Sequence, residues 1–219
     1  MSRKKQLDIV SLKNEAKKFA LIESTEWVSS IYSITDGKAI GTYFEHKFQD
    51  YLNRNYEYER GSSAKGIDFP QILVDMKVTS IKQPQSSCPF KSAHQKIFGL
   101  GYSLLVFVYD KSDNNEKQTG NLNILHVIFI DSSRTADFQM TNGIRDILDK
   151  NGNLDDLIGF FNDRMLPVDE IAAKHIAEKV LRNPPLIGYL TISNALQWRL
   201  QYGRVINEAG EIDGVERLQ

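Results

Sequence analysis

Two carboxylates and an ammonium group lie close together in this 219-residue chain: Asp68, Asp75 and Lys77, in the segment Gly66-Ile-Asp-Phe-Pro-Gln-Ile-Leu-Val-Asp-Met-Lys-Val-Thr-Ser80. Side chains alternate between the faces of a β-strand, so on a strand over 72–79 Ile72, Val74, Met76 and Val78 share one side. Leu73, Asp75, Lys77 and Thr79 share the other, with Asp75 and Lys77 side by side, roughly 7 Å apart along the strand. Asp68 ends a preceding strand over 65–69, just ahead of a reversal marked by Pro70-Gln71. A tight hairpin would bring its carboxylate within metal-bridging distance of Asp75. Two hard oxygen ligands that leave positions open to water and phosphate suit Mg²⁺. A lysine beside them can orient or help deprotonate the attacking water and offset phosphate charge, which fits hydrolysis of a phosphodiester. A half-exposed strand with an ordinary Asp–Lys surface pair would show the same D-x-K tripeptide.

Other chemistries find little support. The single cysteine, Cys88, excludes a disulfide framework and a cysteine zinc cage and suits a reducing cytosol. His46, His94, His126 and His175 are scattered, with no i, i+4 pair for zinc. His94-Gln-Lys96 matches an H-x-K nuclease motif, but position 101 is Gly101 where an Asp is required, and the motif occurs once. There is no clustered-histidine ββα unit, no Walker-type phosphate loop and no G-x-S-x-G elbow. A 41% hydrophobic, 25% charged composition rules out wholesale disorder. No apolar run is long enough to span a membrane, and the basic N-terminus lacks a following apolar signal core, so secretion is not expected. Twenty-seven Lys+Arg against 28 Asp+Glu exclude a generally basic polyanion binder. That balance is uneven: residues 1–111 hold 16 basic and 12 acidic residues, and residues 112–219 hold 11 and 16.

Periodicity supplies the elements that would position the acids. Apolar spacing predicts a helix over about 7–33 and a second over 41–54, where Phe44, Phe48, Tyr51 and Leu52 form a core-facing stripe. A Tyr56-Glu-Tyr-Glu59 alternation follows, with Gly61-Ser-Ser as punctuation. Beyond the acids come a polar loop (82–89), a helix over 92–98, and an apolar run over 103–109 that reads as a central strand buried on both faces. Residues 110–121 read as a surface loop and 122–130 as a strand. Helices are expected over 143–150, 154–165, 168–182 and 192–204, with Pro184-Pro185 separating the last two.

Asp68 followed by Asp75-Met-Lys77 at a strand end resembles the PD-(D/E)-x-K nuclease superfamily, and more particularly the type II restriction endonucleases; the order of elements over about 40–131 agrees. Ile67 stands where the pattern has Pro, and the gap between the acids is short. The resemblance implies a restriction-endonuclease-like α/β core, a mixed central sheet flanked by helices, with a helical C-terminal extension. The chain would then be one nuclease domain, with an N-terminal helical segment over about 1–40, a catalytic core over 41–131 and the extension over 132–219. It implies Asp68 and Asp75 as metal ligands, Lys77 as the catalytic lysine, and Glu45, which borders the stripe of the 41–54 helix, as a further acid feeding the metal site. It also implies Mg²⁺ as cofactor, double-stranded DNA as substrate, homodimers matching palindromic sites, a prokaryotic cytoplasm, and a cognate DNA methyltransferase as a genetic partner. A repair or junction-resolving nuclease, or a non-catalytic DNA-binding protein on the same fold, would carry much the same motif.

Two acid-free stretches could hold DNA. Lys82, Gln83, Gln85, Ser86, Ser87, Lys91 and Lys96 follow the proposed catalytic strand directly. Lysines there would neutralise phosphates, and the amides and hydroxyls could read base edges. On a helix over 192–204, Asn194, Gln197, Gln201 and Arg204 would share one face, with Arg199 nearby and Ile192, Leu196 and Leu200 opposite. Such a face suits a major-groove helix, and equally a solvated amphipathic one.

Overall fold

The computed structural model describes residues 4–61, 66–87, 89–192 and 199–219. Along the chain these form β1 (Lys5–Gln6), α1 (Ile9–Thr25), α2 (Gly37–Leu52), β2 (Tyr56–Glu57), β3 (Val74–Ser80), β4 (Gln85–Ser87), α3 (Ala93–Phe98), β5 (Ser103–Asn114) and β6 (Thr119–Ile130). Then come α4 (Phe138–Asp149), α5 (Leu154–Asp163), α6 (Glu170–Arg182), β7 (Thr191–Ile192), β8 (Arg199–Gln201), α7 (Gly203–Glu208) and β9 (Val215–Arg217). The chain divides into two compact units, one of residues 1–86, 104–130 and 208–219, the other of residues 87–103 and 131–207.

In the first unit α1 and α2 pack on a four-stranded sheet of order β3-β5-β6-β9, with β5/β6 and β6/β9 antiparallel. Asp8 starts α1 by accepting the Ser11 amide, and Asp36 starts α2 by accepting that of Lys38. The buried stripes Leu12-Ala16-Phe19-Ala20 and Ile40-Phe44-Phe48-Leu52 follow the helical repeat. Phe19, Phe44, Phe48 and Phe107 meet with ring centroids 4.8–5.3 Å apart, locking both helices onto β5. As expected, β5 is an interior strand, with Leu104, Leu105, Val106, Phe107 and Val108 all fully buried.

The second unit is built on α3–α6, which share a core of Ile97, Met140, Ile144, Leu157, Phe161, Ile176, Ala177 and Val180. Asp137 is its main polar fastening. One carboxylate oxygen accepts the Met140 amide at 2.8 Å and caps α4, and the other accepts the Ile192 amide at 2.9 Å.

Several expected elements differ. The first helix stops at Thr25, short of 33, where the Asn121 side-chain amide takes up the carbonyls of Ser24 and Glu26. The stretch 110–121 is largely strand: β5 and β6 continue as a hairpin arm through the pair Asn114↔Thr119, bridged from Val28 to Gly120. Its polar side chains suit an exposed ribbon held by backbone pairing. Within the expected 65–69 strand, only Phe69 pairs, in a bridge to Val74, and residues 62–65 lie outside the described part. Gln85–Ser87, placed in a loop by sequence, is a short strand, and β9 carried too little pattern to be foreseen.

The expected 192–204 helix is not formed at either of its described ends. Thr191–Ile192 and Arg199–Gln201 pair as antiparallel strands, and α7 starts only at Gly203. Buried Ile192 and Leu200 are eight residues apart, a spacing that returns to the same face at a period of two as well as near 3.6.

Leu73 sits in the left-handed region (φ 51°) at the last turn position before β3, with its side chain 53% exposed. Such a backbone costs a residue with a Cβ about 1–2 kcal/mol. Leu73→Gly is therefore expected to stabilise the fold by up to about 1 kcal/mol, read as a higher urea midpoint at unchanged slope.

Candidate active site

The reversal ahead of β3 does the first positioning. Phe69 and Val74 exchange backbone hydrogen bonds at 2.9 and 3.2 Å, so Pro70 to Leu73 form the loop and Asp68 comes opposite Asp75. Because β3 is an edge strand of its sheet, it has backbone donors that no neighbouring strand takes. Asp68 Oδ2 accepts one of them, the Met76 amide, at 2.8 Å. The first acid is thereby fixed to the strand that carries the second.

Asp75 is 3% exposed, and burial is the main reason its pKa is pushed up to about 7. Lys77 opposes that rise, while the hydrogen bond from Asp75 to Asp68 and the Asp68 charge reinforce it. Asp68 is also raised, first by burial and further by the charge of Glu45, against the lowering effects of Asp75, the Met76 amide and Lys77. Burial thus raises both carboxyls of the pair, which favours one proton between them. Lys77 Nζ lies 2.5 Å from Asp75 Oδ2, yet that buried oxygen has no partner in hydrogen-bond geometry.

Glu45 stands on α2 beside the Phe44 anchor, half-buried, and accepts a 3.4 Å hydrogen bond from the Gln49 side chain one turn on. It reaches Asp68 through its field. Among the described residues no three acidic, histidine or cysteine side chains converge as one cage for a metal.

The sequence-predicted trio of Asp68, Asp75 and Lys77 is brought together, with Glu45 at its margin. Leu73, expected on the Asp75 face, is instead in the turn. Gln49, the Met76 amide and Gly61 were not foreseen; the glycine is visible in the sequence but reads there only as punctuation.

The candidate DNA contacts fare variously. Lys82 and Gln83 are exposed in the first unit, and Gln85 is tied by its amide to Thr79 Oγ1 at 3.0 Å. In the second unit Ser87 and Lys91 are exposed, but Lys96 is 2% exposed and offers a phosphate no surface, because its side of α3 packs inward. Arg199 and Gln201 are both exposed on β8, on either side of buried Leu200. The Arg204 guanidinium lies 3.6 Å over the Phe138 ring, with Nε buried and unbonded. Asn194 and Gln197 lie outside the described residues.

The raised pKa of Asp75 has a thermodynamic consequence. Between the unfolded value of 3.8 and about 7, the folded chain holds a proton that the unfolded chain has released. Stability of the metal-free protein therefore falls as pH rises through that window. Asp75→Asn removes the penalty. In chelator, its melting temperature is expected to exceed that of wild type by more at about pH 8 than at about pH 5.

The comparisons with known proteins show the family. The profile of the family described as "Type II restriction enzyme NspV" matches residues 6–217. The type II restriction enzyme NspV of Nostoc sp. (strain ATCC 29411 / PCC 7524) is 64% identical over 209 residues, covering 95% of each chain. No solved structure matches. The chain belongs to the NspV family of type II restriction enzymes, site-specific deoxyribonucleases with a restriction-endonuclease-like α/β fold.

Proposed function

We propose that this restriction enzyme hydrolyses the phosphodiesters of double-stranded DNA with Mg²⁺ held by Asp68 and Asp75. The observation that carries the reading is the convergence of Asp68, fixed to β3 by the Met76 amide, with buried Asp75 and with Lys77 Nζ 2.5 Å from the Asp75 carboxylate. The donor set fits a hard divalent cation: both ligands are carboxylates, and Asp75 Oδ2 is buried without a hydrogen-bond partner. No third side chain completes a cage among the described residues, leaving the other positions to water and phosphate oxygens. When bound, the cation supplies positive charge against the phosphate and acidifies water.

The chain's own groups do the rest. Asp68, fixed by the Met76 amide, and Asp75, fixed on β3, set the place where charge is needed. Lys77 keeps an ammonium at the Asp75 carboxylate, where it can orient the attacking water and balance phosphate charge. Glu45 adds negative potential at Asp68 and assists directly or through water. Lys82, Gln83, Gln85, Ser86, Ser87 and Lys91 contact DNA in this reading. Arg199 and Gln201 do so from the exposed face of β8. Arg204, together with Asn194 and Gln197, completes the proposed set. The active species is a homodimer, whose two-fold symmetry would match that of a palindromic site.

Plasmid DNA incubated with the protein and Mg²⁺ is expected to give discrete fragments, and chelator to abolish them. Asp75→Ala and Lys77→Ala should each lower the cleavage rate by more than about 100-fold, and Glu45→Gln by about 10-fold, since outer groups tune a metal site less than its ligands do. Cleavage by Asp75→Ala and Lys77→Ala at the wild-type rate would overturn the assignment.

A further inference from the structure

We propose that Gly61 is a positioning residue for Asp68, and that the segment 58–61 is a strap tying that acid to the helix that carries Glu45. This rests on the metal-binding roles proposed for Asp68 and Asp75. The Gly61 N–H donates to the Asp68 carbonyl at 2.9 Å. A Cβ at position 61 would lie 2.0 Å from the Ile67 carbonyl oxygen, 2.8 Å from its carbon and 2.9 Å from Asp68 Cα. All three are backbone atoms, so no side-chain rotation relieves the clash. The requirement is one of space, at the residue before the acid and at the acid itself.

The strap is anchored at its other end on α2. The Tyr58 hydroxyl donates to the Gln49 carbonyl at 3.0 Å, and the Arg60 guanidinium pairs with Asp50 at 2.8 Å. The Tyr58 ring also packs on Phe69, with centroids 5.5 Å apart. Asp68 is thus held twice. Gly61 fixes its backbone relative to α2, and the Met76 amide fixes its carboxylate to β3. Relieving a 2.0 Å contact to a tolerable one moves the Ile67–Asp68 backbone by about 1 Å, a misplacement that can cost about 100-fold when reacting groups must be aligned.

The test uses full-length enzyme, following cleavage of plasmid DNA as a function of Mg²⁺ concentration alongside the melting temperature. Gly61→Ala is expected to raise the half-saturating Mg²⁺ concentration by at least about 10-fold and to cut the rate at limiting Mg²⁺ by about 100-fold. The double variant Tyr58→Phe/Arg60→Ala severs the strap from α2 without placing an atom near Asp68. It is expected to shift half-saturation several-fold in the same direction while melting close to wild type. A merely structural role would lower melting without moving the Mg²⁺ dependence. The inference is overturned if Gly61→Ala follows the wild-type Mg²⁺ curve. If Gly61→Ala does not fold, an unshifted Mg²⁺ curve for the double variant overturns it. Failure of the underlying reading is separate: wild type would not cleave with Mg²⁺, or Asp75→Ala would cleave as wild type does.

Discussion

Two carboxylates held beside each other, one buried and one half-buried, are the constraint around which the first unit is arranged. Unassisted, each would rather be solvated, and together they repel. The fold holds them there by using interactions unavailable in an unfolded chain. An edge-strand amide takes one carboxylate, a lysine two residues along the strand takes the other, and the raised pKa of Asp75 favours its neutral form below about 7. The aromatic lock of Phe19, Phe44, Phe48 and Phe107 supplies the rigidity this needs, because it fixes α2, and with it Glu45, against the sheet. Packing on one face of a helix thereby sets the electrostatics on its margin.

What was legible in the sequence was what local rules dictate. Asp75 and Lys77 share a face because strand side chains alternate, and Asp68 joins them because Pro70 lies inside a short reversal. Strand β5 was legible because an unbroken apolar run needs cover on both faces, which only an interior strand receives. The illegible parts depend on distant partners. Residues 110–121 look like a loop because an exposed ribbon has no apolar period, and its pairing is anchored from Val28. The 192–204 stretch reads as helical because spacings of four and eight fit two periods at once. The carboxylate of Asp137, 55 residues from Ile192, accepts the amide of that residue where it pairs as strand. The charge of Lys96 and its place in the acid-free stretch after the proposed catalytic strand suggest a phosphate contact, whereas its position on α3 turns it inward.

Near-neutral overall charge follows the same logic. A surplus of positive charge over the whole chain would bind any stretch of DNA, whereas a site-specific enzyme gains from confining its cations to chosen surfaces. The basic excess lies in residues 1–111, which also supply the acids assigned to metal. In the acidic remainder, the acid-free run from Lys179 to Asn207 contains β8, on which Arg199 and Gln201 are exposed. Discrimination between base pairs would then depend on a few positioned donors and acceptors, with affinity supplied separately by phosphate contacts.

The arrangement of the acids also makes the site unfavourable to the fold that builds it. Near neutral pH without a cation, burial and mutual repulsion of Asp68 and Asp75 are only partly offset by Lys77 and the shared proton. In the proposed function a divalent cation would replace that proton and satisfy the unbonded Asp75 oxygen, so cation and proton would compete for the same two carboxylates. The destabilisation is therefore tied to the capacity for chemistry. A side chain that relieved it permanently would remove the reason for a cation to bind. Stability and activity would then be set against each other at this one point, with the surrounding aromatic core and the edge-strand amide holding the two acids in place.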